Sequence, residues 1–266
     1  MSDSDAGNIE LLLENVLARL DSIESCLKTP GGSVIHHVNK ARMDILNAVA
    51  RHDYYNYSQI ESLLKLTFND VGRFYPPLRG WALSPDLALM LRNHVLNKKP
   101  NKVIEFGCGS STVVIAQALR EVGKGSLVSI ESSREYAEKT AEMLAKNSLS
   151  SWVDIVVSQI NETECEVRGL NEKFKWYDIE TLKKAGILDH QYDFLFVDGP
   201  PGSICKMSRY PALPFLINNI SKDALIVLDD ARREDEVQIA EEWSRLYSLH
   251  HVFMNLDKGA SLFEFK

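Results

Sequence analysis

From Lys102 onward, short apolar runs alternate with amphipathic stretches, and this order constrains the fold more than any other feature of the sequence. The short runs are apolar at consecutive positions, which is typical of strands buried on both faces of a parallel sheet. The stretches between them have the spacing of apolar residues that is typical of helices. Such alternation predicts a mostly parallel α/β sheet with helices on both faces. The predicted strands comprise residues 103–106, 127–130, 153–157, 194–197, 225–228, 251–255 and 262–265.

The first part of the chain carries a different pattern, in which apolar residues over 9–27 are separated alternately by four and three positions. This is the heptad pattern of a coiled coil, and leucine at its a position with β-branched residues at d favours trimers or tetramers. The apolar residues are Leu13, Leu20 and Leu27 at a and Ile9, Val16 and Ile23 at d. We therefore predict a homo-oligomer that forms through residues 9–27. The alternative is an amphipathic helix packed against its own chain.

Breaks in the helical pattern divide the chain into three predicted regions. Pro30-Gly31-Gly32 ends the heptad helix, so residues 1–32 form the oligomerisation region. Residues 33–75 are predicted to be a helical linker or lid, and residues 76–266 contain the sheet.

Several helix boundaries are also predicted. The linker carries a helix over 34–51, followed by an aromatic segment at 54–57. A helix is predicted to begin at Ser84-Pro85, with serine as its N-cap and proline at its first position. Ser132 with Glu135 is predicted to form a capping box at the start of a later helix.

Composition and charge argue against several classes of function. The formal net charge is −7 and the sequence pI is about 5.6, whereas nucleic-acid binders usually present a basic face. No apolar run reaches the roughly 18 residues that span a bilayer, and acidic residues near the start argue against a secretory signal. Because the cysteines lack metal-binding spacing, we expect reduced thiols in a cytoplasmic protein. They are Cys26, Cys108, Cys165 and Cys205.

The most informative segment joins the first predicted strand to the next helix. Strand 103–106 runs into Gly107 and Gly109, which permit a tight turn and a close approach of the backbone to a ligand. Glu105 lies at the strand end, where its carboxylate would repel a pyrophosphate. Thr112 stands where the dinucleotide fingerprint has its third glycine. The segment therefore favours a nucleoside cofactor without phosphate over a dinucleotide.

Glu131 ends the second predicted strand, where an acid binds the ribose hydroxyls of nucleoside cofactors. Together with this acid, the segment 105–110 resembles the first two motifs of class I S-adenosylmethionine-dependent methyltransferases. The chain is also similar to a bacterial group of small O-methyltransferase-like domains over about residues 76–266. The segments that carry this similarity are 80–85, 198–202, 209–214 and 228–231. The resemblance implies a Rossmann-like, mostly parallel seven-stranded sheet.

The resemblance further implies that S-adenosylmethionine is the cofactor. This cofactor carries a sulfonium and an ammonium group, both of which a nearby carboxylate attracts. The implied cofactor-binding residues are Glu105, Gly107 and Gly109 around the methionine part, Glu131 on the ribose, and Ser158 and Gln159 near the adenine. The alternative is that Glu105 and Glu131 only cap the ends of strands.

Carboxylates follow the fourth and fifth predicted strands, at the edge where open α/β sheets bind their ligands. Asp198 ends the fourth strand, and Asp229 and Asp230 end the fifth. Three converging carboxylates repel one another unless a cation or protons offset their charge. Mg2+ accepts such ligands and lowers the pKa of a bound hydroxyl. We predict that these acids are catalytic, either as Mg2+ ligands or with Asp198 as a general base; the alternative is that they shape the loops.

The acidic set is similar to that of metal-dependent O-methyltransferases that act on catechols and sugar hydroxyls. The sequence departs from the catechol pattern at 199–202, where a Gly-Pro-Pro-Gly loop lacks the catechol-type lysine. Basic residues after the same strands are predicted to bind an anionic acceptor, or alternatively to form a solvated surface. The predicted substrate-binding residues are Lys206, Arg209 and Arg232. The aromatic residues predicted either to stack on a sugar or adenine or to pack in a lid are Trp81, Trp176 and Tyr177.

The resemblance implies an S-adenosylmethionine-dependent O-methyltransferase. Its acceptor would be a hydroxyl of a glycan, a glycosylated metabolite or another small molecule, with polysaccharide biosynthesis as the leading context. Two alternatives come from other classes of protein. One is a non-catalytic coiled-coil scaffold with a methyltransferase-like domain. The other is an NAD-dependent oxidoreductase, against which Glu105 and Thr112 both argue.

Overall fold

The computed structural model describes residues 3–27, 34–67, 77–78, 80, 82–167 and 170–266. The chain divides into two compact units, Met1–Glu61 and Ser62–Lys266. The predicted region boundaries after residues 32 and 75 lie outside the described residues, so they stay predictions. Trp81 also lies outside the described residues.

The order of helices and strands confirms the predicted alternation from Lys102 onward. The helices are α1 (Asp3–Leu27), α2 (Val34–Thr67), α3 (Pro85–Lys98), α4 (Ser110–Val122), α5 (Arg134–Lys146), α6 (Ile179–Lys184), α7 (Ala212–Leu216) and α8 (Glu234–Leu246). The strands are β1 (Lys102–Phe106), β2 (Ser126–Glu131), β3 (Val153–Val157), β4 (Ile160–Val167), β5 (Leu170–Tyr177), β6 (Tyr192–Val197), β7 (Ile220–Asp229), β8 (Leu249–Met254) and β9 (Ala260–Phe265). Short 3-10 turns are formed by Ser150–Trp152, Ile187–Asp189 and Ile217–Asn219.

The seven-stranded sheet has the strand order β3-β2-β1-β6-β7-β9-β8. The pairs from β3 to β7 are parallel, whereas β9 pairs antiparallel with both of its neighbours. Val103 packs into one hydrophobic core and its neighbour Ile104 into another, because successive side chains of a strand point to opposite faces. The prediction of a mostly parallel sheet covered on both faces is therefore confirmed.

Strands β4 and β5 form a separate antiparallel hairpin that the sequence analysis did not predict. Charged and polar residues alternate with less polar ones in this segment, for example Glu162, Glu164 and Lys173. The search for consecutive apolar residues identifies strands buried on both faces, but it misses a ribbon with one solvated face. The hairpin lies between β3 and α6 and ends at Tyr177.

Helix α2 is longer than predicted, since it includes the aromatic segment 54–57 and ends at Thr67 instead of near residue 51. No glycine or proline interrupts Val34–Thr67, so nothing in the sequence forces the helix to end earlier. In α1 the heptad residues Leu13 and Leu20 are 54% and 53% exposed. Self-association through α1 stays a prediction, since α1 also contacts α2 of its own chain through Arg19 and Asp44.

The predicted helix starts are correct in one case and displaced in another. Ser84 is the N-cap residue of α3 with Pro85 after it, although the Ser84 hydroxyl forms no capping hydrogen bond. The cap of α5 is Ser133, whose Oγ accepts a hydrogen bond from the backbone nitrogen of Tyr136. The predicted capping box at Ser132 was therefore wrong by one residue.

Candidate active site

The loop between β1 and α4 lies close to the loop after β6. Gly107 has a φ of +92°, and a Cβ on it would lie 3.1 Å from the backbone nitrogen of Gly199 and 3.2 Å from the carbonyl carbon of Asp198. The Gly107 nitrogen also donates a hydrogen bond to the carbonyl oxygen of Ile130 at 2.8 Å. A side chain here would strain the backbone and push the two loops apart. Gly107 therefore permits the close approach of the β1 and β6 loops.

Gly109 has a different environment, at the start of α4. Apart from Gly109, its chain neighbours and the adjoining helix backbone, no atom of the described residues lies within 4 Å of the position that a Cβ on Gly109 would take. Its φ of 160° is extended backbone that other residues also adopt. The described part of the chain therefore leaves open space beside Gly109, at a helix N-terminus where a ligand can approach the backbone.

Glu105 is fully buried, and hydroxyl groups bind its carboxyl. Its Oε2 accepts hydrogen bonds from Thr112 Oγ1 at 2.6 Å and from Ser129 Oγ at 2.7 Å. Burial raises the pKa of Glu105 from 4.5 to about 7, and these hydrogen bonds lower it only in part. Among the described residues, Oε1 has no hydrogen-bond partner. One buried carboxyl oxygen therefore still lacks a donor.

Thr112 links the parts of this loop through a single hydroxyl. Its Oγ1 accepts a hydrogen bond from the backbone nitrogen of Gly109 at 2.9 Å and donates one to Glu105. Glycine at this position would lose both hydrogen bonds. The departure from the dinucleotide fingerprint thus has a structural role, since Thr112 connects the start of α4 to the end of β1.

Glu131 connects the first two loops at the edge of the sheet. Its Oε2 accepts a hydrogen bond from the backbone nitrogen of Cys108 at 3.1 Å. Its Oε1 accepts hydrogen bonds from the backbone nitrogen of Ser133 at 2.7 Å and from Ser132 Oγ at 3.3 Å. The carboxylate therefore accepts backbone hydrogen bonds from both loops. Each carboxylate oxygen has more than one lone pair, so capping leaves capacity for a ligand hydroxyl.

The two residues predicted near adenine differ in exposure. Ser158 is buried, and its backbone nitrogen donates a hydrogen bond to the carbonyl oxygen of Glu131 at 2.8 Å. Its hydroxyl donates to the carbonyl oxygen of Asp178 at 3.3 Å. Gln159 is exposed. Of the two side chains, that of Gln159 has the freedom to reach a ligand, while the Ser158 hydroxyl already bonds the chain.

The three predicted acids converge at the ends of β6 and β7. One carboxylate oxygen from each of Asp198, Asp229 and Asp230 lies within 4.8 Å of the others. Asp229 is fully buried, whereas the side chain of Asp198 remains 23% exposed. Asp230 has a φ of +57°, a left-handed conformation that costs on the order of 1–3 kcal/mol for a residue with a side chain. Such a conformation persists where the surrounding contacts enforce it.

Arg209 lies in the middle of this acidic cluster. Its Nη2 donates to Asp198 Oδ1 and to Asp230 Oδ2, both at 3.0 Å, and its Nη1 donates to the carbonyl oxygen of Asp229 at 3.2 Å. Nη1 also lies 3.7 Å from Oε1 of Glu236. The Arg209 side chain is only 4% exposed. Arg209 therefore neutralises the cluster from within. The sequence had instead suggested that Arg209 binds the substrate.

The cluster still holds more negative than positive charge. Arg233 Nη1 is the second cation, 2.9 Å from Asp230 Oδ2. Burial raises the pKa of Asp198 despite the opposing Arg209 guanidinium, and it raises the pKa of Asp229 well above the usual range. Asp229 Oδ1 accepts a hydrogen bond from the backbone nitrogen of Asp230, but its buried Oδ2 has no partner among the described residues. This oxygen is available to a proton or a metal ion.

The other two predicted substrate-binding residues have different neighbours. Arg232 Nη2 donates to Oδ1 of Asn255 at 2.6 Å and to the carbonyl oxygen of Leu256 at 3.1 Å, so it bonds the β8–β9 turn. Lys206 is exposed and lines a cavity of about 270 Å³ together with Phe174 of β5. The structure therefore does not bring Arg232 and Lys206 to the acidic cluster through hydrogen bonds.

Tyr177 is a site residue whose position the sequence analysis missed, because it did not predict the hairpin that carries Tyr177. The side chain is fully buried, and its hydroxyl occupies the space that a Cβ on Gly199 would need. Burial and the carboxylates of Glu131 and Asp198 raise the pKa of Tyr177. Trp176 is buried too, with its ring 5.2 Å from that of Phe106, which favours packing over ligand stacking.

Comparison with protein families bears on this arrangement. Residues 104–231 match a family model described as a methyltransferase domain. The match includes both glycines of the first loop and all three aspartates of the cluster. Residues 104–231 form a methyltransferase domain. A comparison with curated proteins finds no match.

Solved structures similar to this chain carry the same fold as the methyltransferase domain. The SAH-bound Podospora anserina methyltransferase PaMTH1 is 12% identical with a TM-score of 0.56, over 83% of this chain and 95% of that chain. The O-methyltransferase TomG from Streptomyces achromogenes, in complex with SAM, is 17% identical with a TM-score of 0.51, over 79% and 89%. The O-methyltransferase from Bacillus cereus, in complex with SAH, is 16% identical with a TM-score of 0.51, over 79% and 91%.

The family match agrees with the predicted methyltransferase domain over residues 104–231, and the similar structures carry the predicted Rossmann-like fold. The Rossmann-like sheet places the glycine loop of the methyltransferase domain and its acidic cluster at the same edge, where open α/β sheets bind their ligands. None of the described helices is long and apolar enough to cross a bilayer.

Proposed function

We propose that the domain transfers a methyl group from S-adenosylmethionine to a hydroxyl group of a small acceptor, and that Asp198 contacts this hydroxyl. The position of Asp198 carries the proposal. Its backbone lies against the glycine loop at Gly107, and its side chain is the most exposed of the three acids, at 23% compared with 7% for Asp230. Asp198 therefore lies between the loop that would hold the cofactor and the open side of the cluster.

The residues of the first two loops fit S-adenosylmethionine. The open space beside Gly109 accommodates a ligand close to the backbone, and Oε1 of Glu105 lacks a donor. Glu131 would bind the ribose, and Gln159 would lie near the adenine. When bound, the cofactor supplies a methyl group activated by its positive sulfur. Glu105 and Glu131 would place their negative charge near that end of the site.

Asp198 would orient the acceptor and take its proton. Arg209 bonds Oδ1 of Asp198, so Oδ2 remains for the acceptor hydroxyl. Burial raises the pKa of Asp198, which makes its carboxylate a stronger base than an exposed one. Arg209 acts here as a positioning residue, because its guanidinium also bonds Asp230 and so fixes the carboxylates relative to one another.

A metal-assisted form of the reaction would use the same acids. The oxygens of Asp198, Asp229 and Asp230 suit Mg2+, and the unpartnered Oδ2 of Asp229 supports such a site. In that case the ion would lower the pKa of the acceptor hydroxyl. Arg209 supports the metal-free form, because its guanidinium already bonds two of the three carboxylates. Methyl transfer that persists in EDTA would exclude the metal-assisted form, whereas loss in EDTA and recovery with Mg2+ would support a metal site.

Calorimetric titration of S-adenosylmethionine and S-adenosylhomocysteine tests the cofactor site. We expect micromolar binding by the wild type and at least about tenfold weaker binding by Glu131→Ala, a loss of about 1.4 kcal/mol. Glu135→Ala is the matched control, since Glu135 is exposed and bonds only Lys139 among the described residues. No binding by the wild type would contradict the enzyme and favour the scaffold alternative. Binding of NAD instead would favour the oxidoreductase.

A second experiment tests the role of Asp198. Asp198→Asn is expected to bind the cofactor but to lose methyl transfer to a panel of hydroxyl acceptors, with S-adenosylhomocysteine release as the readout. Asp154→Asn, at an exposed position on β3, is the control. Unchanged turnover in Asp198→Asn would contradict the proposed base.

The acceptor class rests on resemblance. A glycan or a glycosylated metabolite is the first candidate acceptor, and another small hydroxyl compound is the second. The similar O-methyltransferase TomG is involved in tomaymycin synthesis. Polysaccharide biosynthesis is the corresponding context for a glycan acceptor. The first panel should therefore contain sugars with free hydroxyls, uronic and phosphorylated sugars, and phenols. Transfer to phenols alone would contradict the glycan class.

Self-association through α1 belongs to the same proposal. The exposed heptad residues Leu13 and Leu20 support a trimer or tetramer. Removal of residues 1–32 is expected to lower the mass in light scattering, and an unchanged mass would contradict this role of α1.

A further inference from the structure

Helix α2 presents an apolar stripe to solvent along most of its length. Its members are Val38, Ile45, Leu46, Val49, Tyr57, Ile60, Leu63 and Leu64, all between 42% and 69% exposed. At 3.6 residues per turn they fall on one side of the helix. With a rise of about 1.5 Å per residue, the stripe extends over about 39 Å. Exposed apolar surfaces of this extent usually mark a site of association.

The opposite side of α2 makes the contacts within the described part of the chain. Lys40, Ala41 and Asp44 line a cavity that α1 also lines, and Asp44 bonds Arg19 of α1 at 2.9 Å. The buried residues of α2 lie on that same side of the helix; they are Gln59, Ser62 and Leu66. The residues through which α2 contacts α1 therefore lie away from the stripe.

Two charged residues interrupt the stripe, and they have opposite sign. Arg42 and Asp53 are exposed, and neither forms an ion pair with a described residue. They are separated by 11 positions, which is about three helical turns, so both lie on the apolar side. A charge within an apolar helix face commonly determines the orientation of the helix that binds there.

We propose that α2 is a dimerisation helix, which pairs antiparallel with α2 of a second copy of this chain. A two-fold axis between Asn47 and Ala48 places Arg42 opposite the partner's Asp53 and, by symmetry, Asp53 opposite the partner's Arg42. The same axis places Leu46 opposite the partner's Val49 at the centre of the interface. A two-fold interface uses the same surface on both copies.

Between Val38 and Tyr57 the pairing is self-complementary beyond the charges. The axis that matches Arg42 with the partner's Asp53 also matches Val38 with the partner's Tyr57 and Asn39 with the partner's Asn56. Apolar residues thus meet apolar residues, and amides meet amides. A parallel dimer would instead place like charges together at both positions, which is unfavourable. The order of residues on the stripe therefore favours a second copy of α2 in antiparallel orientation over an unrelated helix.

Charge exchange tests the pairing. Sedimentation of the full chain, whose mass is 30.0 kDa, is measured for the wild type, Arg42→Asp, Asp53→Arg and the double variant. Each single variant places like charges opposite each other at both ends of the dimer, so its dissociation constant is expected to rise by about tenfold or more. The double variant exchanges the charges and is expected to restore the wild-type constant. Lys40→Asp is the matched control, because it reverses a charge on the other side of α2.

Each result decides the proposal. A monomeric wild type at tens of micromolar, or single variants that associate as well as the wild type, would overturn it and leave the stripe to another protein. Single variants that dissociate without rescue in the double variant would also overturn it, since they indicate a different register. Circular dichroism establishes that each variant retains its helices. All chains in the comparison carry Leu13→Asp and Leu20→Asp in α1, so that association through α1 does not hide the change at α2.

Discussion

Replacement of Arg209 by methionine tests whether this guanidinium holds the acidic cluster together. The side chain is 4% exposed and contacts the carboxylates of Asp198, Asp230 and Glu236. Removal of one partner from a buried ion pair leaves uncompensated charge and costs about 3–5 kcal/mol. We expect the free energy of unfolding to fall by about that amount in urea denaturation near neutral pH. Methionine keeps much of the apolar volume of the arginine stem, so lost packing contributes little.

The loss should depend on pH in a predictable direction. Burial already raises the pKa of Asp198 and of Asp229 above their usual values, and the Arg209 guanidinium opposes this. Without Arg209 the pKa of each acid rises further. A carboxyl whose pKa is raised on folding does not destabilise the folded protein at low pH, where it is protonated. As the pH rises towards the folded-state pKa, ionisation of the buried group lowers the free energy of unfolding. Arg209→Met should therefore lose less stability at about pH 5 than at about pH 8.

Arg233→Met provides the matched control for this experiment. Arg233 bonds Asp230 at 2.9 Å in the same cluster, but its side chain is 48% exposed. Solvent screening limits such a pair to about 0–1 kcal/mol. Equal losses in the two variants, or a loss in Arg209→Met that does not change with pH, would refute the role assigned to Arg209.

Three further predictions concern the loops of the site. Gly107→Ala is expected to lower the free energy of unfolding by about 1–3 kcal/mol, because of the left-handed backbone at Gly107 and the nearby β6 loop. Gly109→Ala should leave the melting temperature unchanged and weaken cofactor binding. Calorimetry that finds the reverse would contradict both assignments. Glu105→Gln should stabilise the protein increasingly between about pH 4.5 and 7, by up to about 3 kcal/mol. The reason is that the buried carboxyl, with its pKa raised to about 7, resists ionisation. Denaturation curves that show a constant stability difference over this range would argue against a buried ionisable group. Ser133→Ala should cost about 1 kcal/mol as the loss of the α5 cap, whereas Ser132→Ala should cost less, and thermal denaturation of the pair distinguishes them.

Local sequence patterns predicted the central part of the fold because they report burial directly. Consecutive apolar residues such as Val103 and Ile104 indicate a strand with both faces covered, and the structure confirms the sheet. The hairpin β4–β5 escaped prediction because a solvated ribbon has no such run. Tyr177 was therefore considered only for stacking on a ligand or for packing in a lid, although its hydroxyl lies against Gly199.

The site shows the same division between local and non-local information. Asp198, Asp229 and Asp230 were placed together by the rule that parallel strands end at one edge, and their oxygens do converge. The cation that neutralises them was not predicted. Nothing in the sequence around Arg209 indicates that its segment packs over the ends of β6 and β7. Glu105 was expected beside a ligand, which stays a prediction; the burial of its carboxyl and its hydrogen bonds from Thr112 and Ser129 were not predicted.

The sequence by itself determined the sheet, the glycine loop, the acids at the strand ends and the methyltransferase resemblance, because each depends on residues that are adjacent or regularly spaced. Only the tertiary structure decided which charges meet. Arg209 reaches Asp198 and Asp230 across 11 and 21 positions of the chain. Such contacts depend on how loops pack over the sheet edge, and the burial that results changes the pKa of Asp198 and Asp229. Side-chain chemistry at a site is set by neighbours in space, and sequence patterns specify those neighbours only where the spacing is regular.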